Sequence, residues 1–215
     1  MNEKAILPPG QFELDQFPRF GLTPFAYRYP KNIDTISIRV KGDVVSETVL
    51  SDQLSELERV DQVSDFHCVT TWSRRNLKWS GYRFRDVFES IIQPQAQPDS
   101  EAGFVIIRGQ DGYRTSMQLD DLLAADVLLA DQLNDAPLSI EHGAPMRLVA
   151  PAHYGYKSIK HVEKIEFCCE SRELFPFGLR FLIHARGRVA LEERSSGAPA
   201  WLVRRLYKPF IKPTI

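Results

Sequence analysis

The stretch "EHGAPMRLVAPAHYGYKSIKHVEKIEF", residues 141–167, gathers His142, Arg147, His153, Lys157, Ser158, Lys160 and His161 around two glycines. Within it, "PMRLVAP" reads as a strand with a proline at each end. "SIKHVEKIEF" alternates, with Ile159, Val162, Ile165 and Phe167 as the inward set. Lys157 and Lys160 offer point charges and Ser158 a hydroxyl, while Gly155 lets backbone approach closely. This is the equipment a phosphate needs. The competing reading is a solvated basic edge of a strand. No Gly-rich phosphate loop or dinucleotide fingerprint occurs, so ordinary nucleotide binding has no support.

Upstream lies "DFHCVTTWSRRNLKWSG", residues 65–81, with Cys68 on or just after a β-branched, aromatic strand. Four readings of Cys68 stay open: a small buried hydrophobe, a redox sensor, a nucleophile paired with His67 or His142, and a metal ligand. No CxxC or HxxxH pair exists, which argues against a zinc site. A thiol beside Arg74 and Arg75 is expected to have a lowered pKa, which suits a soft metal and a nucleophile equally.

Outward from these motifs the chain is strand-rich with short helices, an α+β pattern. "DTISIRVKG" is a strand with Ile36, Ile38 and Val40 on one face, and "SDQLSELERV" a short helix opened by Ser51 or Asp52. "YRFRDVFESII" carries helical spacing, and "PQAQPDSEAG" reads as a loop. "GFVIIRGQDGYRTSM" is two strands around a turn, and "LDDLLAADVLLADQLNDAPL" a helical turn leading into a strand. Three segments result: a proline-rich irregular arm (1–31), a core domain (32–169) and a C-terminal extension (170–215). The extension holds nine Lys or Arg against four Glu, about +5. It also carries two apolar clusters, Leu174–Ile183 and Trp201–Ile211. Such a tail either wraps back onto the core or docks a partner through its basic face.

The 215 residues fit one domain with appendages, and 43% apolar content suffices for a core. A formal charge of -1 gives no global field for nucleic acid, so an anion site must be local. Three cysteines, two of them adjacent, make a poor disulfide framework. No signal-like N-terminus and no membrane-length apolar run is visible, so a cytoplasmic protein is expected.

Together, "HCVTTWS" followed by two arginines and "APLSIEHGAPMRLVAPAHYGYKSIKHVEKIEF" resemble the sulfite oxidase family of molybdopterin-dependent oxidoreductases. The likeness is to the small bacterial, haem-free catalytic domain and covers about residues 17–168. It implies the strand-rich sulfite oxidase fold, a molybdenum-molybdopterin cofactor without haem, and two-electron oxygen-atom transfer on a small sulfite-like or sulfoxide-like substrate. Cys68 would ligate the metal, and a soft thiolate suits molybdenum already bound by a dithiolene. His142, Arg147, Lys157, Ser158 and Lys160, with backbone from Gly155 and Tyr156, would hold the cofactor's phosphate. The arm "FPRFGLTPFAYRYP" would cross the pocket and offer Arg19, Phe20, Arg28 and Tyr29 to the pterin, and His67 would adjoin the cofactor. Arg75 and Tyr113 would serve the active-site mouth, while His153 and His161 are read as structural. The arginine pair follows the cysteine at a longer spacing than in the animal and plant enzymes. The expected partners are the small substrate and an electron-transfer protein, with neither nucleic acid nor a membrane span, and the chain is expected as a monomer. The rival readings are a non-catalytic molybdopterin carrier and a metal-free cysteine redox sensor.

Overall fold

Two sheets carry the chain, and the 141–167 stretch supplies a strand to each. The structure is a computed structural model that describes residues 7–21, 25, 28–171 and 183–210, the Phe210 side chain excepted. In chain order the strands are β1 (Phe12–Glu13), β2 (Ile38–Gly42), β3 (Thr48–Leu50), β4 (Val60–His67), β5 (Trp72–Arg83), β6 (Phe104–Gly109), β7 (Arg114–Gln118), β8 (Leu128–Leu133), β9 (Ala136–Pro137), β10 (Arg147–Val149) and β11 (Val162–Cys168). Short helices join them: α1 (Phe84–Val87), α2 (Gln93–Ala96), α3 (Leu119–Leu122) and, in the tail, α4 (Ala200–Tyr207).

Among the described residues the first sheet runs β1-β5-β8-β10, with β4 also paired to β5 and β9 to β8. The second runs β3-β2-β11-β6-β7. In β11 the alternation places Val162, Ile165 and Phe167 inward, all buried, and Ile159 just before it is buried too. The strand lies parallel to β2 and antiparallel to β6. Flanked by β11 and β7, β6 reads Phe-Val-Ile-Ile and buries Val105, Ile106 and Ile107 in a row, as a strand covered on both faces does. These side chains meet Phe84, Val87 and Ile92 from the helical stretch and Leu129 and Leu148 from the first sheet in the main core. Each such aliphatic side chain contributes about 1.5–3 kcal/mol on burial.

A second, smaller cluster sits on the other side of the first sheet. Phe66, Cys68, Trp72, Trp79 and Leu128 form it, and Leu14, Phe17 and Phe20 of the arm pack against it. The arm is thus not wholly irregular, since Phe12 and Glu13 pair in parallel with Trp72 and Ser73. Phe17 then lies edge-on to Phe66 and Trp72, and Phe20 edge-on to Trp72 and tilted against Phe66.

The reading of "PQAQPDSEAG" as a loop needs correction at its start, because Gln93–Ala96 is helical. Phe88–Ile92 forms a π-helical turn, and its wider winding admits Pro94 in the next segment without the usual clash. Gln97, at φ 50°, and Pro98 then end the helix. The short helix at Asp52–Glu56 is 3-10, and the hairpin of β6 and β7 forms around Gln110–Gly112 as its turn residues require. Of the apolar tail cluster Leu174–Ile183, all but Ile183 lies outside the described residues. Residues 183–194 lie against the core: Tyr154 N–H donates to Gly187 O, Val189 N–H to Ala152 O, and Arg186 pairs with Asp121. No helix among the described residues is long and apolar enough to cross a membrane.

Candidate active site

Strand β4 ends at His67, and Cys68 opens a tight turn back into β5. The Cys68 N–H donates to Trp72 O at 2.8 Å and the Thr71 N–H to Cys68 O at 3.1 Å. The loop after β10 meets this turn directly, because the Gly155 N–H donates to His67 O at 2.8 Å. The two motifs, remote in sequence, therefore abut one residue from the thiol.

An open cleft lies at this junction, enclosing about 840 Å³ out to its mouth. One wall is Cys68, Val69 and Thr70; another is Gly155, Tyr156, Ser158, Ile159, Lys160 and His161. Arg19, Phe20, Gly21, Phe25 and Arg28 of the arm cover it, with Asp111 and Tyr113 from the β6–β7 turn and Ile140 and Glu141 at the rim. A cleft with apolar walls and a few converging charges is the usual form of a cofactor site.

Of the sequence-expected residues, Cys68, Tyr113, Gly155, Tyr156, Ser158, Lys160, Arg19 and Arg28 are brought together here. Cys68 is almost wholly buried, and its Sγ lies 3.0 Å from Thr70 Oγ1. Burial raises its thiol pKa, opposite to the expectation drawn from the neighbouring arginines. The reason is geometric. Arg75 turns to the arm and pairs with Glu13 Oε2 at 2.7 Å, and Arg74 donates to Leu14 O. Neither is among the cleft residues, so the structure does not bring Arg75, expected at the active-site mouth, to the cleft.

Lys160 Nζ donates to Phe20 O and Glu141 O, both at 2.8 Å, and so fastens the arm to the cleft. Burial, with Arg147 and Arg19 close by, pushes its pKa down to about 7. Lys157 is different. Its ammonium is buried and donates to Ser116 O and Ala185 O, away from the cleft, and burial pushes its pKa down to about 7. Arg147 is also withdrawn. It is fully buried, donates to His142 O at 2.9 Å and Ser158 O at 3.3 Å, and stacks over Trp79 at 4.9 Å. Both residues stitch loops together behind the site instead of facing it, because each emerges on the inner side of its segment.

His142 stacks on Phe17, ring centroids 4.9 Å apart and planes nearly parallel, and its buried Nδ1 has no protein hydrogen-bond partner. Burial, with Arg147 and Lys160 next, pushes its pKa down to about 4, so at neutral pH it is uncharged. His67 contributes backbone; its ring is buried and hydrogen-bonds Ser73 Oγ at 2.8 Å. His161, read as structural, does border the cleft, although its Nδ1 is held by Ala144 O. Tyr113 donates its phenol hydrogen to Tyr156 O at 3.0 Å and meets the Phe25 ring. Arg19 lies over the Tyr29 ring, and Arg28 over Phe25.

Sequence reasoning missed Asp111, Glu141, Phe25 and the packing role of Phe17. Asp111 was concealed in a turn signal, where its Oδ1 accepts the Tyr113 N–H at 2.9 Å. Glu141 stands next to His142 in the motif, and that adjacency was the available cue.

Among the described residues no group of three or more His, Cys, Asp or Glu is poised to hold a metal. A metal beside Cys68 must therefore bring its remaining ligands with it, and a metal carried on a sulfur-bearing pterin does so. The cations Arg19, Arg28 and Lys160 suit the anionic end of such a group. The residues present fit it.

Comparison with known proteins identifies the family. Residues 26–175 match the family model described as oxidoreductase molybdopterin binding domain. The chain is similar to the uncharacterized oxidoreductase YuiH of Bacillus subtilis, 36% identical over 177 residues, which are 81% of this chain and 85% of that protein. It is 31% identical over 157 residues to the protein-methionine-sulfoxide reductase catalytic subunit MsrP of Campylobacter jejuni, covering 65% of this chain and 51% of that one. Mitochondrial sulfite oxidase of Drosophila melanogaster is 37% identical over 98 residues, 42% of this chain and 16% of that protein. The crystal structure of the sulfane dehydrogenase SoxCD from Paracoccus pantotrophus shares the fold, with a TM-score of 0.57 at 20% identity over 71% of this chain and 43% of that one.

Proposed function

The chain belongs to the oxidoreductase molybdopterin binding domain family, and we propose that it is a mononuclear molybdenum enzyme with Cys68 as the protein's ligand to the metal. Its reaction, on this reading, is two-electron oxygen-atom transfer to or from a small sulfite-like or sulfoxide-like substrate. The observation that carries the reading is the position of Cys68, a soft thiol in the wall of a cleft whose opposite wall supplies Lys160 and whose cover supplies Arg19 and Arg28. The names of the relatives, a sulfoxide reductase and a sulfite oxidase, support the substrate class.

When bound, the molybdopterin-held metal supplies the two-electron change. The chain's own residues bind, orient and exclude water. Lys160, with Arg19 and Arg28, holds anionic groups by charge-assisted hydrogen bonds. Phe20 and Phe25 cover the cleft and keep its interior apolar, which strengthens those contacts. Tyr113, its hydrogen committed to Tyr156 O, presents the phenol oxygen as an acceptor. Asp111 and Glu141 place negative charge at the same walls and so confine where an anionic substrate can sit. Metal-free redox sensing by Cys68 is disfavoured, since burial keeps the thiol protonated and slow to react.

The test is metal and pterin analysis of the purified protein beside Cys68→Ser. The variant is expected to fold and to keep pterin, with altered visible absorption and no oxygen-atom transfer to a panel of sulfoxides and sulfite. An active Cys68→Ser protein with an unchanged spectrum would sink the assignment.

A further inference from the structure

The turn that presents Cys68 is held from outside the region that defines the family. Thr71, a β-branched residue, sits at φ 84°, a backbone conformation such residues rarely adopt without support. The support comes from both flanks of the chain. From the arm, Gln11 Nε2 donates to Cys68 O at 3.1 Å, and the Phe12 N–H to Thr71 O at 2.9 Å. From the tail, Arg194 Nη1 donates to Val69 O at 2.7 Å. The family match spans 26–175, so all three groups fall beyond it.

Arg194 is the most telling of them. It is fully buried, a state arginine seldom reaches. Its second terminal nitrogen donates to Pro9 O at 3.0 Å, its guanidinium lies over Tyr154 at 4.9 Å, and Glu192 pairs with it. One planar fork thus ties the thiol turn, the arm and the loop before Gly155 to a single point. Two terminal nitrogens held in one plane meet the two carbonyls at once, a geometry that the single ammonium of a lysine does not reproduce.

We propose that Arg194, in the C-terminal extension, is a positioning residue for Cys68: it fixes the turn carbonyl next to the thiol and thereby sets the direction in which Sγ faces the cleft. This builds on the reading of Cys68 as metal ligand, but its test is separable from that reading.

The experiment is amide hydrogen exchange on cofactor-free protein, read in a peptide covering residues 68–72, for wild type, Arg194→Lys and Arg194→Met. Exchange depends on the turn and not on whether Cys68 binds metal. Arg194→Met is expected to exchange this peptide faster by about tenfold or more, the factor one charge-assisted hydrogen bond commands, with the β11 peptide unchanged. Arg194→Lys is expected to fall between. In loaded enzyme the thiolate-to-metal absorption of Arg194→Met should shift while pterin content holds, and Arg194→Lys should recover part of the shift. A folded Arg194→Met protein with wild-type exchange, or with faster exchange but an unshifted band, overturns the proposal. If Arg194→Met does not fold, Arg194→Lys is judged by the same two outcomes. If neither folds, Arg194 is a general stability residue and the proposal fails. The Cys68→Ser analysis shows independently whether the thiol is the ligand at all.

Discussion

The Gly155 N–H and the His67 carbonyl form the bond, 2.8 Å long, that closes the two motifs on each other. Gly155 is also packed against the Phe66 ring so tightly that a Cβ there would lie 2.1 Å from Cζ. Gly155→Ala must therefore push Phe66 or the 153–158 loop aside. The expected loss is about 1–3 kcal/mol of stability, with reduced pterin content, checked by thermal melting and cofactor analysis. An alanine variant with wild-type melting and full cofactor would mean the loop adapts freely.

Lys160 gives the cleft a pH dependence whose sign is fixed. Its folded pKa is about 7 against an ordinary 10.5, so between these values the unfolded chain binds a proton that the folded chain does not. Stability from this group therefore rises with pH across that window. A bound anion restores the ammonium, so anion binding takes up a proton and weakens as pH rises above about 7, by at most about tenfold per pH unit. Titration calorimetry with sulfate between about pH 6 and 9 reads this slope, and Lys160→Met should abolish it and cost about 10–100-fold in affinity near pH 6.

Lys157 should behave otherwise, although it lies three positions away in the same motif. Lys157→Met removes the donor shared by the Ser116 and Ala185 carbonyls, costing about 1–3 kcal/mol of stability. Sulfate affinity should change little. A large loss of affinity with unchanged melting would place its ammonium in the cleft after all.

Arg75→Gln tests the arginine pair. Because Arg75 is engaged with Glu13 on the arm, the Michaelis constant for an anionic substrate should stay within about twofold of wild type. A marked rise in that constant at unchanged turnover would return Arg75 to the substrate path.

The fold was readable where one physical signal dominated. The alternation in "SIKHVEKIEF" and the turn in "GQDGY" each translate directly into backbone, and Cys68 falls just past β4 as the β-branched run implied. The helix through Pro94 was not readable, because a π-turn has no compositional mark and proline ordinarily stops a helix. In the site, residue types offered an anion pocket beside the reading of a solvated basic edge, but not which cations would face it. Lys157 and Lys160 look alike in sequence, yet one points behind the loop and the other into it. That difference depends on the turn at Tyr154–Ser158, where tertiary bonds decide the direction of each side chain. Arg194 carried no signal at all, since a single arginine in a basic tail looks like solvated charge.

Val69 and Arg194 stand 125 positions apart, and the bond between them has a bearing on timing. A ribosome makes the thiol turn early and its tail clamp late, so a nascent chain carries Cys68 for most of its synthesis on a turn still missing one tether. A soft metal meeting the chain in that interval would find a thiol with no settled orientation. The finished protein offers the same sulfur from a turn with every tether in place, so a chain that ends before Arg194 is expected to present Cys68 on a looser turn than the full one.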